Sequence, residues 1–208
     1  MNKAIKINKW GKIGLLTGLV IGFLFAANSA MASDTGAWTS MEVSGKVSDT
    51  LTLTVGEELR FDGLTDLDLA TNRTTIGLST EVTSGVTVGV EYKNVSDGEQ
   101  RVSTVLGLRL LQGTLNLDSL SKLELRDGDT LRGRTELALS TETAGFSPFV
   151  SEEIFVDDSG ITGNRLAIGV ARSINNVFGV NAFYMMDTPG TDFANSGHVL
   201  GLGLSVSL

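Results

Sequence analysis

The chain has 208 residues, 16 of them basic and 24 acidic, a formal net charge of −8 and no cysteine. That length predicts a single domain. The lack of cysteine excludes a disulfide framework and thiol chemistry, and the acidic balance argues against a nucleic-acid partner, which needs a basic patch.

Residues 1–32 stand apart. Lys3, Lys6, Lys9 and Lys12 form a basic start, Ile13 to Ala27 is an apolar run of 15 residues, and Ala30-Met31-Ala32 offers small residues before Ser33. This is the pattern of a cleaved signal peptide. A spanning helix needs about 20 apolar residues, and Asn28 and Ser29 end this run first. Residues 33–208 keep 12 basic residues and all 24 acids.

From there the pattern is alternation at period two, the mark of strands with two different faces. The stretch AWTSMEVSGKV (37–47) is strand-like, and residues 33–48 are read as an N-terminal extension or partial strand. Residues 49–208 hold ten candidate strands at about 50–61, 72–82, 86–94, 101–111, 114–126, 131–140, 146–156, 164–173, 177–186 and 198–208. Most have the length that a tilted strand needs to cross a bilayer. Short links (83–85, 112–113, 142–145, 174–176) alternate with longer, acidic ones (62–71, 96–100, 127–130, 157–163, 187–197). The expectation is an all-β, antiparallel transmembrane β-barrel in the bacterial outer membrane. Ten strands are favoured and twelve is the alternative, because an even count returns both termini to one side.

The charges sort onto one face. In 50–61, Leu51, Leu53, Val55, Leu59 and Phe61 oppose Glu58 and Arg60. In LRGRTELALS (131–140), Leu131, Leu137 and Leu139 oppose Arg132, Arg134 and Glu136. Carried along the chain, this parity gives the candidate lumen-lining set. Its basic members are Arg60, Arg73, Lys93, Arg101, Arg109, Lys122, Arg126, Arg132, Arg134 and Arg165. Its acids are Glu58, Glu81, Glu91, Glu124 and Glu136. The planar guanidinium pairs carboxylates two-pronged, which suits a crowded interior. Phe61, Tyr92, Phe155 and Tyr184 fall near strand ends, where an interfacial aromatic girdle belongs. Two places resist the pattern. Glu57 falls on the apolar face, and in SEE (151–153) Glu152 and Glu153 take opposite faces, which predicts a bulge or a rim position there.

Chemistry is scarce. His198 is the only histidine, with Ser196 and Asp192 nearby. A hydrolase needs a base beside a nucleophile and held by a third group, so a lipid-acting barrel enzyme using His198 is the least favoured of three readings. No calcium-loop ligand set is complete, and GLGL (201–204) has no helix after it to make a phosphate loop. No catalytic residue, metal site or cofactor is expected.

The stretches EELRF (57–61), KLELR (122–126), RGRTEL (132–137), SPFVSEEIF (147–155) and NRLAIGV (164–170), with Trp38 near the mature start, make the chain resemble an uncharacterised family of bacterial outer-membrane proteins known only as a domain of unknown function. That resemblance implies a barrel and no agreed activity. A weaker one is to the monomeric channels for acidic oligosaccharides, which also line a narrow barrel with Arg and Lys.

The first functional expectation is therefore a structural or small-solute barrel with an Arg/Glu-lined lumen. The second is a narrow channel preferring anions, motivated by ten basic against five acidic candidates. The partners expected are outer-membrane lipid and lipopolysaccharide, the barrel-assembly machinery that reads a final strand such as HVLGLGLSVSL (198–208), and a small anionic solute; nucleic acid is not expected.

Overall fold

The computed structural model describes residues 35–64, 68–190 and 196–208. Contacts divide the chain after Ser33, and every described residue belongs to the second unit. The expected signal peptide lies outside the described residues.

Among the described residues eleven strands close into one barrel in simple chain order. They are β1 (Thr35–Lys46), β2 (Leu51–Asp62), β3 (Asp68–Thr83), β4 (Val86–Val95), β5 (Gln100–Leu111), β6 (Leu115–Arg126), β7 (Thr130–Thr141), β8 (Ser147–Asp157), β9 (Gly160–Ser173), β10 (Phe178–Pro189) and β11 (Gly197–Ser207). The count is neither ten nor twelve. The ten expected strands are β2 to β11, and the eleventh comes from the segment read as an extension. Residues Thr35–Lys46 pair along their whole length with β2 on one side and β11 on the other.

An odd count has a geometric consequence. The first and last strands run the same way, so the closing pair β1–β11 is parallel, from Thr35 opposite His198 to Ser44 opposite Ser207. All other pairs are antiparallel. Closure leaves no strand edge exposed. Thr35 begins at the end of the barrel that carries the connections 63–67, 96–99, 127–129, 158–159 and 190–196, here the loop end; Leu208 lies at the opposite, turn end.

Several loop-end connections are tighter than the sequence predicts. DDSGITG (157–163) is mostly hairpin, with Asp157 opposite Gly160 and a bulge between Phe155 and Val156. The acids there cap turns. Asp157 Oδ1 accepts from the Ser159 amide at 2.8 Å, Asp97 Oδ1 from Glu99 at 3.1 Å, and Asp127 Oδ1 from Gln100 at 2.9 Å. Asp and Asn favour such positions because the short side chain mimics a backbone acceptor.

The barrel is inside out. Leu, Ile and Val side chains such as Ile76, Val90, Leu123, Leu131, Ile168 and Leu202 are exposed on its outer wall. The buried set instead includes Arg101, Glu124 and Glu153. The small apolar cluster inside, Ala167, Met185 and Val199 with Phe183 against it, sits on β9 to β11. It fits there because β11 presents glycines inward. A Cβ on Gly201 would overlap the Phe183 ring, and one on Gly169 would lie 2.6 Å from Phe149 Cζ. Gly201 on β11 and Gly169 on β9 are thus beds for the Phe183 and Phe149 rings.

Candidate functional site: the barrel lumen

All ten basic candidates make an ion pair with an inward carboxylate. The densest part lies towards the loop end. Glu124 on β6 is completely buried and receives Arg132 Nη2 at 2.5 Å and Arg134 Nη1 at 3.3 Å from β7. Arg134 Nε also donates to Glu153 on β8 at 2.5 Å. Glu153 is shared with Arg165 on β9 at 3.4 Å, and Arg165 reaches Asp187 on β10 at 3.0 Å.

Aromatic rings fill the space between the charges. The Arg60 guanidinium lies 3.4 Å from the Trp38 ring centre, and that of Arg165 lies 5.1 Å from the same ring centre. Phe155 lies 5.0 Å from Arg132, 5.5 Å from Arg134 and 4.7 Å from Arg165. Guanidinium groups are attracted to ring faces within about 6 Å. Phe155 is therefore a lumen residue, 5 % exposed, and not part of a girdle as expected. It shares strand parity with Glu153, and that parity overrides its nearness to the strand end. Phe61, Tyr92 and Tyr184 do lie on the outward parity of their strands.

Three further clusters complete the charge pattern. Glu58 on β2 accepts from Arg60 at 2.7 Å and from Arg73 at 3.5 Å. Glu91 on β4 takes Lys122 of β6 at 2.7 Å, reaching past β5, with Lys93 at 3.6 Å. Glu99, in the connection after β4, holds Arg101 through two bonds of 2.7 and 2.9 Å and also accepts from Arg126. Those guanidinium bonds hold its carboxyl down at about 2, against an ordinary 4.5. Arg109 faces Asp118 at 3.8 Å near the turn end.

The acids differ from the candidate set. Glu99, Asp118, Glu153 and Asp187 supply partners that the sequence reading left off the lumen. Asp118 carries a readable signal, since it shares parity with Lys122. Glu99 and Asp187 were counted with the connections. Two candidates make no ion pair among the described residues: Glu81, whose carboxylate accepts from the Gly85 amide at 2.9 Å and caps a turn, and Glu136, which is bonded by Ser151.

The outward misfits have local partners. Glu57 accepts from Thr74 Oγ1 at 2.9 Å, and Glu152 from Asn164 Nδ2 at 2.8 Å. No bulge occurs at Glu152, which pairs in register with Leu137 and Leu166. The bulge on this strand comes three residues later.

His198 lies on the outward parity of β11. Its Nδ1 is 2.6 Å from the Tyr184 hydroxyl, and the rings stack at 5.8 Å. The Ser196 hydroxyl bonds Thr188 at 2.6 Å. Asp192 lies outside the described residues. Among the described residues no group of three or more His, Asp or Glu side chains is placed to hold a metal ion.

Fold and lumen define a class: a closed, inside-out β-barrel with an ion-paired interior. Residues 35–192 match the family described as Protein of unknown function (DUF2490), and the chain belongs to that family. No curated protein matches it.

Proposed function

We propose that this chain is a β-barrel of the bacterial outer membrane whose lumen is braced shut towards the loop end, a structural or small-solute barrel and neither an open channel nor an enzyme. The observation that carries this reading is the pairing of all ten candidate lumen cations; Lys46, also on the inward parity, is exposed at the turn end of β1. The anion-channel reading drew on ten cations against five acids. Seven acids take part in the pairs, and Glu42, Glu81 and Glu136 add three more on the inward parity. The interior is close to neutral, so little fixed field is left to favour anions. A guanidinium held by two carboxylates, as Arg134 is, is also neutralised where it stands.

The outward wall supports the membrane placement, because a water-soluble barrel would turn those Leu, Ile and Val side chains inward. The leader pattern at residues 1–32 supports export. Outer-membrane lipid and lipopolysaccharide then cover the wall, and the barrel-assembly machinery inserts it. The pairing of His198 with Tyr184 supports an interfacial role for both side chains, at the loop end where an amphipathic ring sits well.

Cell fractionation with heat-modifiable migration on gels tests the placement. The protein should sediment with outer membrane and migrate faster unboiled than boiled. Recovery in the soluble periplasm with no mobility difference would sink the proposal. For the enzyme question, His198→Ala should leave the lipid composition of the cells unchanged.

A further inference from the structure

The ten paired inward cations divide by how tightly they are held. Seven of them have a carboxylate oxygen at 3.0 Å or closer. Three do not: Arg73 at 3.5 Å from Glu58, Lys93 at 3.6 Å from Glu91, and Arg109 at 3.8 Å from Asp118.

All three loosely held cations border empty space. Arg73 and Lys93 line a cavity of about 450 Å³, and Arg109 lines one of about 380 Å³. Both cavities touch Thr87, Val105 and Leu120, so they form one hollow against the β1–β7 side of the lumen. Its size is that of a small-molecule pocket. Beside it two buried polar atoms, Arg73 Nε and Glu91 Oε1, have no hydrogen-bond partner among the described residues, and among those residues the Lys93 ammonium has a single ion pair, the 3.6 Å contact. Cations held this loosely beside open space are placed to pair with an incoming anion. Hydroxyls of Thr54, Thr75, Ser79 and Thr87 make up much of the remaining wall.

We propose that this hollow binds a small polyhydroxylated anion, its carboxylate or phosphate held by the Lys93 ammonium and the Arg73 guanidinium and its hydroxyls by the threonine wall. The proposal rests on the lumen being braced shut beyond these groups, since an open pore would not retain such a solute. A carboxylate and a phosphate offer the same oxygen acceptors here, and the choice of probe separates them.

The test is calorimetric titration of the refolded full chain in detergent with gluconate, glycerol 3-phosphate and, as neutral control, sorbitol. At least one of the two anions should bind saturably, one per barrel, and sorbitol at least tenfold more weakly. Lys93→Gln should weaken the anion at least tenfold, and Arg73→Gln, a second and independent variant, should do the same. Arg172→Gln, which lies on the outward parity, should leave it unchanged. The preferred anion identifies the headgroup. The site is overturned if neither anion binds to protein that shows heat-modifiable migration. It is equally overturned if sorbitol binds as well, or if both lumen variants bind like the parent. Failure of the barrel reading looks different: migration does not change on heating, or the refolded protein conducts ions.

Discussion

Arg165 on β9 reaches the Trp38 ring on β1, 5.1 Å away, past both strands that separate them along the wall. The contact spans the parallel seam from inside. It also joins two halves of the charge network. On one side Trp38 leads to Arg60, Glu58 and Arg73. On the other, Arg165 leads through Glu153 to Arg134, Glu124 and Arg132. Parallel pairing is slightly weaker per residue than antiparallel, so the seam gains most from a brace that does not depend on its own hydrogen bonds.

Arg165→Ala cuts this chain at its middle. It removes the ion-pair partner of Asp187 and one of the two held by Glu153. Breaking a half-buried pair of this kind should cost about 3 kcal/mol. Chemical denaturation in detergent should show the fall in midpoint. Emission from Trp38 should shift as well, because its ring loses one of two stacked cations; unchanged emission would remove Arg165 from the brace.

Glu124→Gln keeps the shape of a fully buried side chain and removes its charge. Arg134 retains Glu153, but Arg132 is left with no carboxylate. The expected loss is about 3 kcal/mol. Adding Arg132→Gln should cost less than the two single changes predict together, since residues sharing one interaction are not additive. Strict additivity would mean that the pair does not act as a unit.

Stability should depend on acid through Glu99. Its carboxyl, bonded by Arg126 and Arg101, titrates near 2 when folded instead of near 4.5. A depressed carboxylate stabilises the fold fully above its unfolded value and loses that contribution as pH falls through the folded one. The gap in unfolding midpoint between the parent and Glu99→Gln should therefore be complete at pH 6 and shrink between pH 4.5 and 2. A gap that stays constant across this range would contradict the assignment.

Gly201→Ala tests the aromatic bed. The new methyl would meet the Phe183 ring, and overpacking of this kind costs about 2 kcal/mol. Phe183→Leu in the same chain should restore part of the loss, because it withdraws the ring from the methyl. Loss without any rescue would place the strain in the β11 backbone instead.

Most of the wall is legible from alternation. Strands β2 to β11 fall within a few residues of the expected positions, because a strand facing two different environments writes its parity into the sequence. The longest departures are at the starts of β3 and β9, where polar hairpin residues carry no such contrast. β1 was legible too: Trp38, Ser40, Glu42 and Ser44 alternate with Ala37, Thr39, Met41 and Val43. An odd count breaks the antiparallel rule, and the parallel seam resolves that conflict. In the lumen, all ten candidate cations carry an ion pair, and four of the acids that hold them lie outside the candidate set. A long Arg side chain reaches partners across a turn, as Arg126 reaches Glu99, or at a strand end, as Arg165 reaches Asp187. Strand parity alone does not reveal such partners.

Whether the brace closes the barrel is the central question, and single-channel recording in planar bilayers addresses it directly. Refolded protein should give no stepwise conductance above background, and the joint substitution of Arg132 and Arg134 by Ser should open conducting events while lowering thermal stability. Stable anion-selective steps from the unmodified protein, reduced by the same two substitutions, would show that these arginines line a path and contradict the closed-lumen account.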